Sequence, residues 1–234
     1  MTDRQFQYRV MAAIALILPP IAWLLVSVIY GLPFPQSISE TATIAHVSDF
    51  LLPLCLGALA LFALTYSIRY SYDNRLDKVF PAIMFVGFLL AAVQPCASPY
   101  ITVERVGLFY LTPEWSHIVH CFGAITGFGA MILHIMLCFT KSDKRHSQQT
   151  TQKRIRNNIY RMLSYGMIGS LAIFIIDLFG ILGTEFPTVF VVEWFMLAFG
   201  GVAYAIKGGI GFRDKPQTKK GKLRYEKLRN HKNM

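Results

Sequence analysis

Two spaced pairs of ionisable residues stand at the thresholds of apolar stretches. His46 and Asp49 lie three residues apart ahead of "LLPLCLGALALFALTY", and His117 and His120 share that spacing within "EWSHIVHCFGA". On a helix this separation places both side chains on one face, with Cβ atoms about 5–6 Å apart. Glu40, Glu193 and Asp177 add carboxylates near the ends of other apolar stretches. Two chemistries suit the set. In one, His46, Asp49, His117 and His120 ligate a divalent metal such as zinc, whose bound water attacks an ester or phosphoester with Glu193 or Asp177 as general base. In the other, carboxylate and imidazole groups from Glu40, His46, Asp49, His120 and Glu193 do acid–base work without a metal. A third reading needs no chemistry: the groups pair with one another and hold helix ends together. Ser37 and Ser39 could act as nucleophiles beside His46, but "QSISETAT" reads first as helix-capping sequence. The chain has no glycine-flanked nucleophile elbow, phosphate loop, dinucleotide fingerprint or paired-cysteine zinc pattern.

The elements that must position these residues are apolar and long. Of 234 residues, 54% are hydrophobic and 15% charged, too little charge to coat a soluble domain of this size. Six apolar blocks, at 10–30, 45–67, 79–96, 115–139, 160–182 and 189–211, approach or exceed the roughly 20 residues needed to cross a hydrocarbon core. The expected fold is all-α, a polytopic membrane protein built as a six-helix bundle over residues 1–212, followed by a basic tail at 213–234. The first block is too long for a signal core and precedes no small-x-small cleavage site, so it reads as a retained span. Pro19 and Pro20 within it remove two backbone donors and predict a kink.

Charge placement predicts orientation. Every Lys and Arg except Arg105 lies in the N-terminus, the second loop, the stretch from Lys141 to Arg161 or the stretch from Lys207 onward. Under the positive-inside rule both termini are cytoplasmic and the first, third and fifth loops face away. Glu40, Asp49, Glu104, Glu114, Asp177, Glu185 and Glu193, with His46, His117 and His120, then fall on the outer side. Charged groups are costly in lipid, so these are expected to face the bundle interior and surround a shared outer cavity. The net charge of +10 reads as a topology signal lying against anionic headgroups rather than as a nucleic-acid arm. Membrane lipids are therefore the expected partners.

Secondary features complete the reading. Gly123, Gly127 and Gly129 in the fourth span and Gly200 and Gly201 in the sixth would let helices approach closely. The third loop, "ASPYITVERVGLFYLTPEW", has aromatics suited to the headgroup zone and reads equally as a lid or as an interfacial loop. His134 reads as a packed histidine. Cys55, Cys96, Cys121 and Cys138 read as small core residues, with a Cys96–Cys121 disulfide as an alternative.

Three segments in order, "LPFPQSISETAT" after the first span, "HCFGA" opening a middle span and "EWFMLAFG" in the last, resemble the DRAM family of six-span membrane proteins. Its relatives include a protein that remodels GPI-anchor lipid and the N-terminal domain of a yeast cell-wall protein linked to ceramide exchange; uncharacterised bacterial six-span proteins look similar. The likeness covers nearly the whole chain. Ser39 and Glu40 fall on the family's Ile-Ser-Asp/Glu-Thr motif, His120 and Gly123 on its His-x-x-Gly, and Glu193 and Trp194 on its Glu-Trp. Ala42 stands where the family has glycine, "IAHVSD" replaces its proline-rich segment, and His117 has no counterpart. What the resemblance implies is lipid handling: a lipid-modifying enzyme or subunit, or a non-catalytic lipid-binding or scaffold protein. A small transporter fits less well, because no inverted repeat is visible.

Overall fold

A computed structural model describes residues 3–46, 49–67, 75–141, 150–180 and 187–211. The basic tail, most of the second and fourth loops and Glu185 lie outside these residues. Among the described residues the regular structure is helical: α1 (Asp3–Trp23), α2 (Thr41–Ile44), α3 (Leu52–Ser67), α4 (Leu76–Val93), α5 (Pro113–Leu133), α6 (Thr151–Leu178) and α7 (Thr188–Lys207). Two helices end in wider π-helical turns, α1 at Leu24–Ile29 and α5 at His134–Phe139. Helix α1 runs on through Pro19 and Pro20, and its widened turn begins just beyond them.

Among the described residues five helices are long and apolar enough to cross a membrane: Asp3–Ile29, Leu76–Val93, Pro113–Phe139, Thr151–Asp177 and Thr188–Lys207. The second apolar block differs from its sequence reading. Rather than one helix from residue 45, it forms the four-residue α2, a left-handed residue at His46 (φ 50°) and then the 16-residue α3. The reason is local capping. The Asp49 Oδ1 accepts from the Leu51 amide at 2.8 Å and its carbonyl accepts from the Leu52 amide at 2.9 Å, which starts the helix late. Within the described residues α3 rises about 24 Å from this later start, at about 1.5 Å per residue.

The other helix starts follow simple rules. Thr112 is extended, Pro113 supplies the first helical position of α5 and Glu114 sits in its first turn. Thr150 caps α6 by accepting from the Lys153 amide at 3.2 Å.

The helices pack in the spatial order α6, α7, α1, α3, α4, α5. The tightest seam is α4 against α5. A Cβ placed on Gly123 would lie 2.6 Å from the Ala91 nitrogen and 2.8 Å from the Gly87 carbonyl oxygen, so only glycine permits this approach. Gly127 faces Phe88 across the same seam, and Gly201 sits against Leu16 of α1. Gly129 faces open space instead. The ring closes weakly between α5 and α6, which meet mainly through the π-helical turn of α5. Nearer the α5 N-terminus, a cleft opens between α5, α6 and α7.

The bundle has two unlike ends. At the capped end, the segment between α1 and α3 and the loop between α4 and α5 fold over the helix termini. Tyr100 donates its hydroxyl to the Phe34 carbonyl at 3.1 Å, and the Ser98 amide donates to Thr43 Oγ1 at 3.1 Å. The third loop turns back at Gly107 (φ 72°) and Tyr110 (φ 53°), with Val106 bridging Leu111, and it presents Leu108, Phe109 and Tyr110 outward. At the terminal end, the start of α1 meets the end of α7, and Arg9 Nε donates to the Gly208 carbonyl at 2.9 Å.

Candidate functional site at the capped end

Four of the sequence-selected residues come together beneath the cap. Glu40, Asp49, His120 and Glu193 are 1%, 3%, 2% and 3% exposed, so three carboxyls and one imidazole share a space closed to bulk water. Each is held by backbone. Glu40 Oε1 accepts from the Gln36 amide at 2.8 Å, and Glu193 Oε2 accepts from the Ile38 amide at 2.7 Å. Asp49 lies within electrostatic reach of His120 and Glu193, and Glu193 within reach of His120 and Glu40.

The position of His120 follows from two features of the chain. Ala91 would ordinarily give its carbonyl to the amide four residues on, but residue 95 is proline and has no N–H. The glycine seam brings α5 close enough for His120 to supply the missing donor. Its Nδ1 lies 3.0 Å from the Ala91 oxygen and 3.2 Å from the Gln94 oxygen. Both are acceptors only, so Nδ1 carries the proton and Nε2 is the nitrogen left for chemistry. The spacing of His120 and Gly123 thus has a physical meaning: the glycine permits the approach and the histidine uses it.

Burial sets the acidity of the two carboxyls in the cap. It pushes Glu40 up from 4.5 to about 7, against the pull of the Gln36 amide. It likewise pushes Asp49 up from 3.8 to about 7, against the pull of His120 and the Leu51 amide. Asp49 Oδ2 is buried without a hydrogen-bond partner, and Ser98 adds a side-chain contact that favours the Glu40 carboxylate. The site can therefore gain or lose protons near pH 7.

The remaining sequence-selected residues lie apart. His46 is exposed on its left-handed turn, out of helical register with Asp49. His117 shares α5 with His120 but faces two thiols: Cys96 Sγ is 3.4 Å from its Nδ1 and Cys121 Sγ is 3.5 Å from its Nε2. His46, Asp49, His117 and His120 therefore do not form one tight ligand set; a single histidine and a single aspartate of the four reach the buried cluster. Asp177 is half-buried near the end of α6 and makes no contact with the cluster among the described residues. Cys96 and Cys121 are not joined by a disulfide, and the His117 ring lies between them. Burial pushes the Cys96 thiol up, against the opposing pull of His117. Ser39 Oγ accepts from the Cys96 amide at 2.9 Å and Ser37 Oγ from the Glu40 amide at 3.2 Å, so both serines serve the cap.

Sequence reading missed two groups of residues. Gln94 organises the third loop: its Nε2 donates to the Val106 carbonyl at 2.6 Å and to Ser116 Oγ at 3.0 Å, and its Oε1 accepts from the Phe109 amide at 3.1 Å. The second group lies at the terminal end, where His134 is no isolated packed ring. Its Nδ1 is 2.9 Å from the Tyr204 hydroxyl and its Nε2 is 3.6 Å from Asp77 Oδ1, while Asp77 Oδ2 faces Arg4 at 3.1 Å. The signal was present: His134 and Cys138 are four apart within a span, and Asp77 sits in the first turn of another.

The cleft between α5, α6 and α7 is lined by Ala124, Ile125, Phe128, Leu171, Phe174, Met196 and Glu193. Six of these are apolar, and the seventh is the carboxyl bonded to the cap at Ile38. No family model, curated protein or solved structure matches the chain.

Proposed function

We propose that this integral membrane protein handles lipids. An acyl chain enters between α5, α6 and α7 by widening the small cleft there, whose free volume of ≈ 10 Å³ is about that of one water, and its polar end meets Glu193, His120, Asp49 and Glu40. The observation that carries the reading is that Glu193 belongs to both features: it lines an apolar cleft and is part of the buried cluster. Apolar walls with few convergent polar groups are the usual form of a lipid or small-molecule site. The resemblance of "QSISET", "HCFG" and "EWF" to a lipid-handling family points the same way, and the positive-inside reading of the charges, in which the capped end faces away from the cytoplasm, is consistent with it.

In the catalytic form of this reading, His120 takes or gives a proton through Nε2 while Glu193 and Asp49 offset the charge that develops on the imidazole. Glu40, pushed up to about 7, is protonated in part of the molecules at neutral pH and donates in that form. A second reading rests on its own observation. The same groups already have architectural duties: Asp49 caps α3, His120 closes the end of α4 and Glu193 holds the Ile38 amide. In that form the protein binds lipid without changing it.

Glu193→Gln separates the two forms, because a glutamine oxygen can still accept from Ile38. Purified protein should carry an acyl lipid detectable by native mass spectrometry. In liposomes of defined ester lipid, the variant should lose about 10²–10⁴-fold in turnover with little change in melting temperature. Lipid retained with no turnover in either protein supports the binding form. A wild type that retains no lipid overturns the proposal.

A further inference from the structure

Among the described residues, one group of His, Cys, Asp and Glu side chains brings three ligand atoms within 4.8 Å of one another: Asp77, His134 and Cys138, all buried. It lies at the terminal end, on the first turn of α4 and the π-helical turn of α5. From these residues we infer a transition-metal site, with zinc as the favoured ion, separate from the capped-end cluster.

The hydrogen bonds around His134 set its chemistry. The Tyr204 hydroxyl is placed to donate to Met84 Sδ at 3.6 Å, leaving its oxygen to accept from His134 Nδ1 at 2.9 Å. With the proton on Nδ1, Nε2 presents a lone pair. That atom is buried without a hydrogen-bond partner and lies 3.6 Å from Asp77 Oδ1, too long for a good hydrogen bond. Two donors facing each other at that distance are explained by a cation between them. In a tetrahedral zinc site with Zn–N and Zn–O bonds of about 2.0–2.2 Å, two ligand atoms sit about 3.3–3.5 Å apart. A histidine whose far nitrogen is fixed by a second group is the usual arrangement of a metal ligand.

The donor set selects the ion. Thiolate, imidazole and carboxylate together suit zinc and related borderline cations; calcium and magnesium prefer oxygen alone. Two anionic ligands balance a divalent ion. Arg4 engages the other carboxylate oxygen, Oδ2, at 3.1 Å, so Oδ1 is not its nearer contact. Lys207, the other cation close by, places its Nζ 4.8 Å from the Phe139 ring centroid. His134 and Cys138 lie one above the other because the π-helical turn keeps residues four apart on one face. The fourth position of a tetrahedron is left for a solvent or ligand atom.

The test uses the full chain, purified without chelator and with any affinity tag removed. Elemental analysis should find zinc at one ion per chain. After stripping, cobalt(II) should restore a thiolate-to-cobalt charge-transfer absorption. Cys138→Ser should abolish that absorption, Asp77→Asn should weaken cobalt binding by about tenfold or more, and Cys121→Ser and Glu193→Gln should leave it unchanged. Wild-type protein with neither zinc nor a cobalt band overturns the site, whatever the variants do. A band that survives Cys138→Ser overturns it too, since the thiolate then belongs elsewhere.

Discussion

The two ends of the bundle solve the problem of buried charge in opposite ways. At the capped end three carboxyls gather around one imidazole, with no Lys or Arg in their hydrogen bonds, and they are held by the backbone amides of Gln36, Ile38 and Leu51. At the terminal end one carboxylate, Asp77, meets the guanidinium of Arg4 and the ring of His134. Neutral amides favour the carboxylate, but less than burial disfavours it, so the capped end titrates near neutrality. An ion pair favours the charged forms of both its partners, so Arg4 and Asp77 hold each other charged. The difference follows from where cations are allowed: basic residues crowd one side of the chain and leave the other to acids.

The largest expected effect tests the terminal end. Asp77→Asn removes the carboxylate that faces Arg4 in a buried setting and should cost about 3–5 kcal/mol of stability. It should leave lipid retention at the capped end intact, as measured by thermal unfolding in detergent and by lipid mass spectrometry. Equal loss of lipid would show that the two ends are one unit.

A smaller effect is expected at the seam that connects them. Gly123→Leu drives a side chain against Ala91 and Gly87, and overpacking of this kind costs about 1–3 kcal/mol. Because the seam sets the distance from His120 to the Ala91 carbonyl, this variant should impair the capped end more than its stability loss alone accounts for. A variant with lower stability and full function would separate the seam from the site.

The smallest effect tests titration. Asp49 and Glu40 have ordinary values near 3.8 and 4.5 and reach about 7 when folded. The folded protein therefore holds more protons than the unfolded chain between those limits, so this contribution to stability is full below about pH 4 and is lost as pH rises through about 7. Asp49→Asn should flatten part of that decline. An unchanged slope would mean that the Asp49 carboxyl is ionised when folded.

Some of this was legible residue by residue. The helical membrane fold could be read because apolar blocks of membrane length cannot be hidden in a soluble shell. The burial of Glu40, Asp49, His120 and Glu193 could be read because lipid does not tolerate such groups singly. The start of α3 could not, since hydropathy is blind to the Asp49 side chain that delays it. The partners of His117 were also hidden: Cys96 comes from the loop after α4, and nothing in helical spacing announces it.

Local chemistry, then, determined the helices and the separation of acids from bases along the chain, because each depends on neighbours in the chain and on the solvent around them. Tertiary structure decided which of those groups meet. Proline at position 95 leaves a carbonyl that His120 reaches only across a seam of glycines on two helices, and Glu193 joins cleft to cap only because α7 stands beside both. Such meetings depend on distances between elements far apart in the chain, which no local pattern encodes.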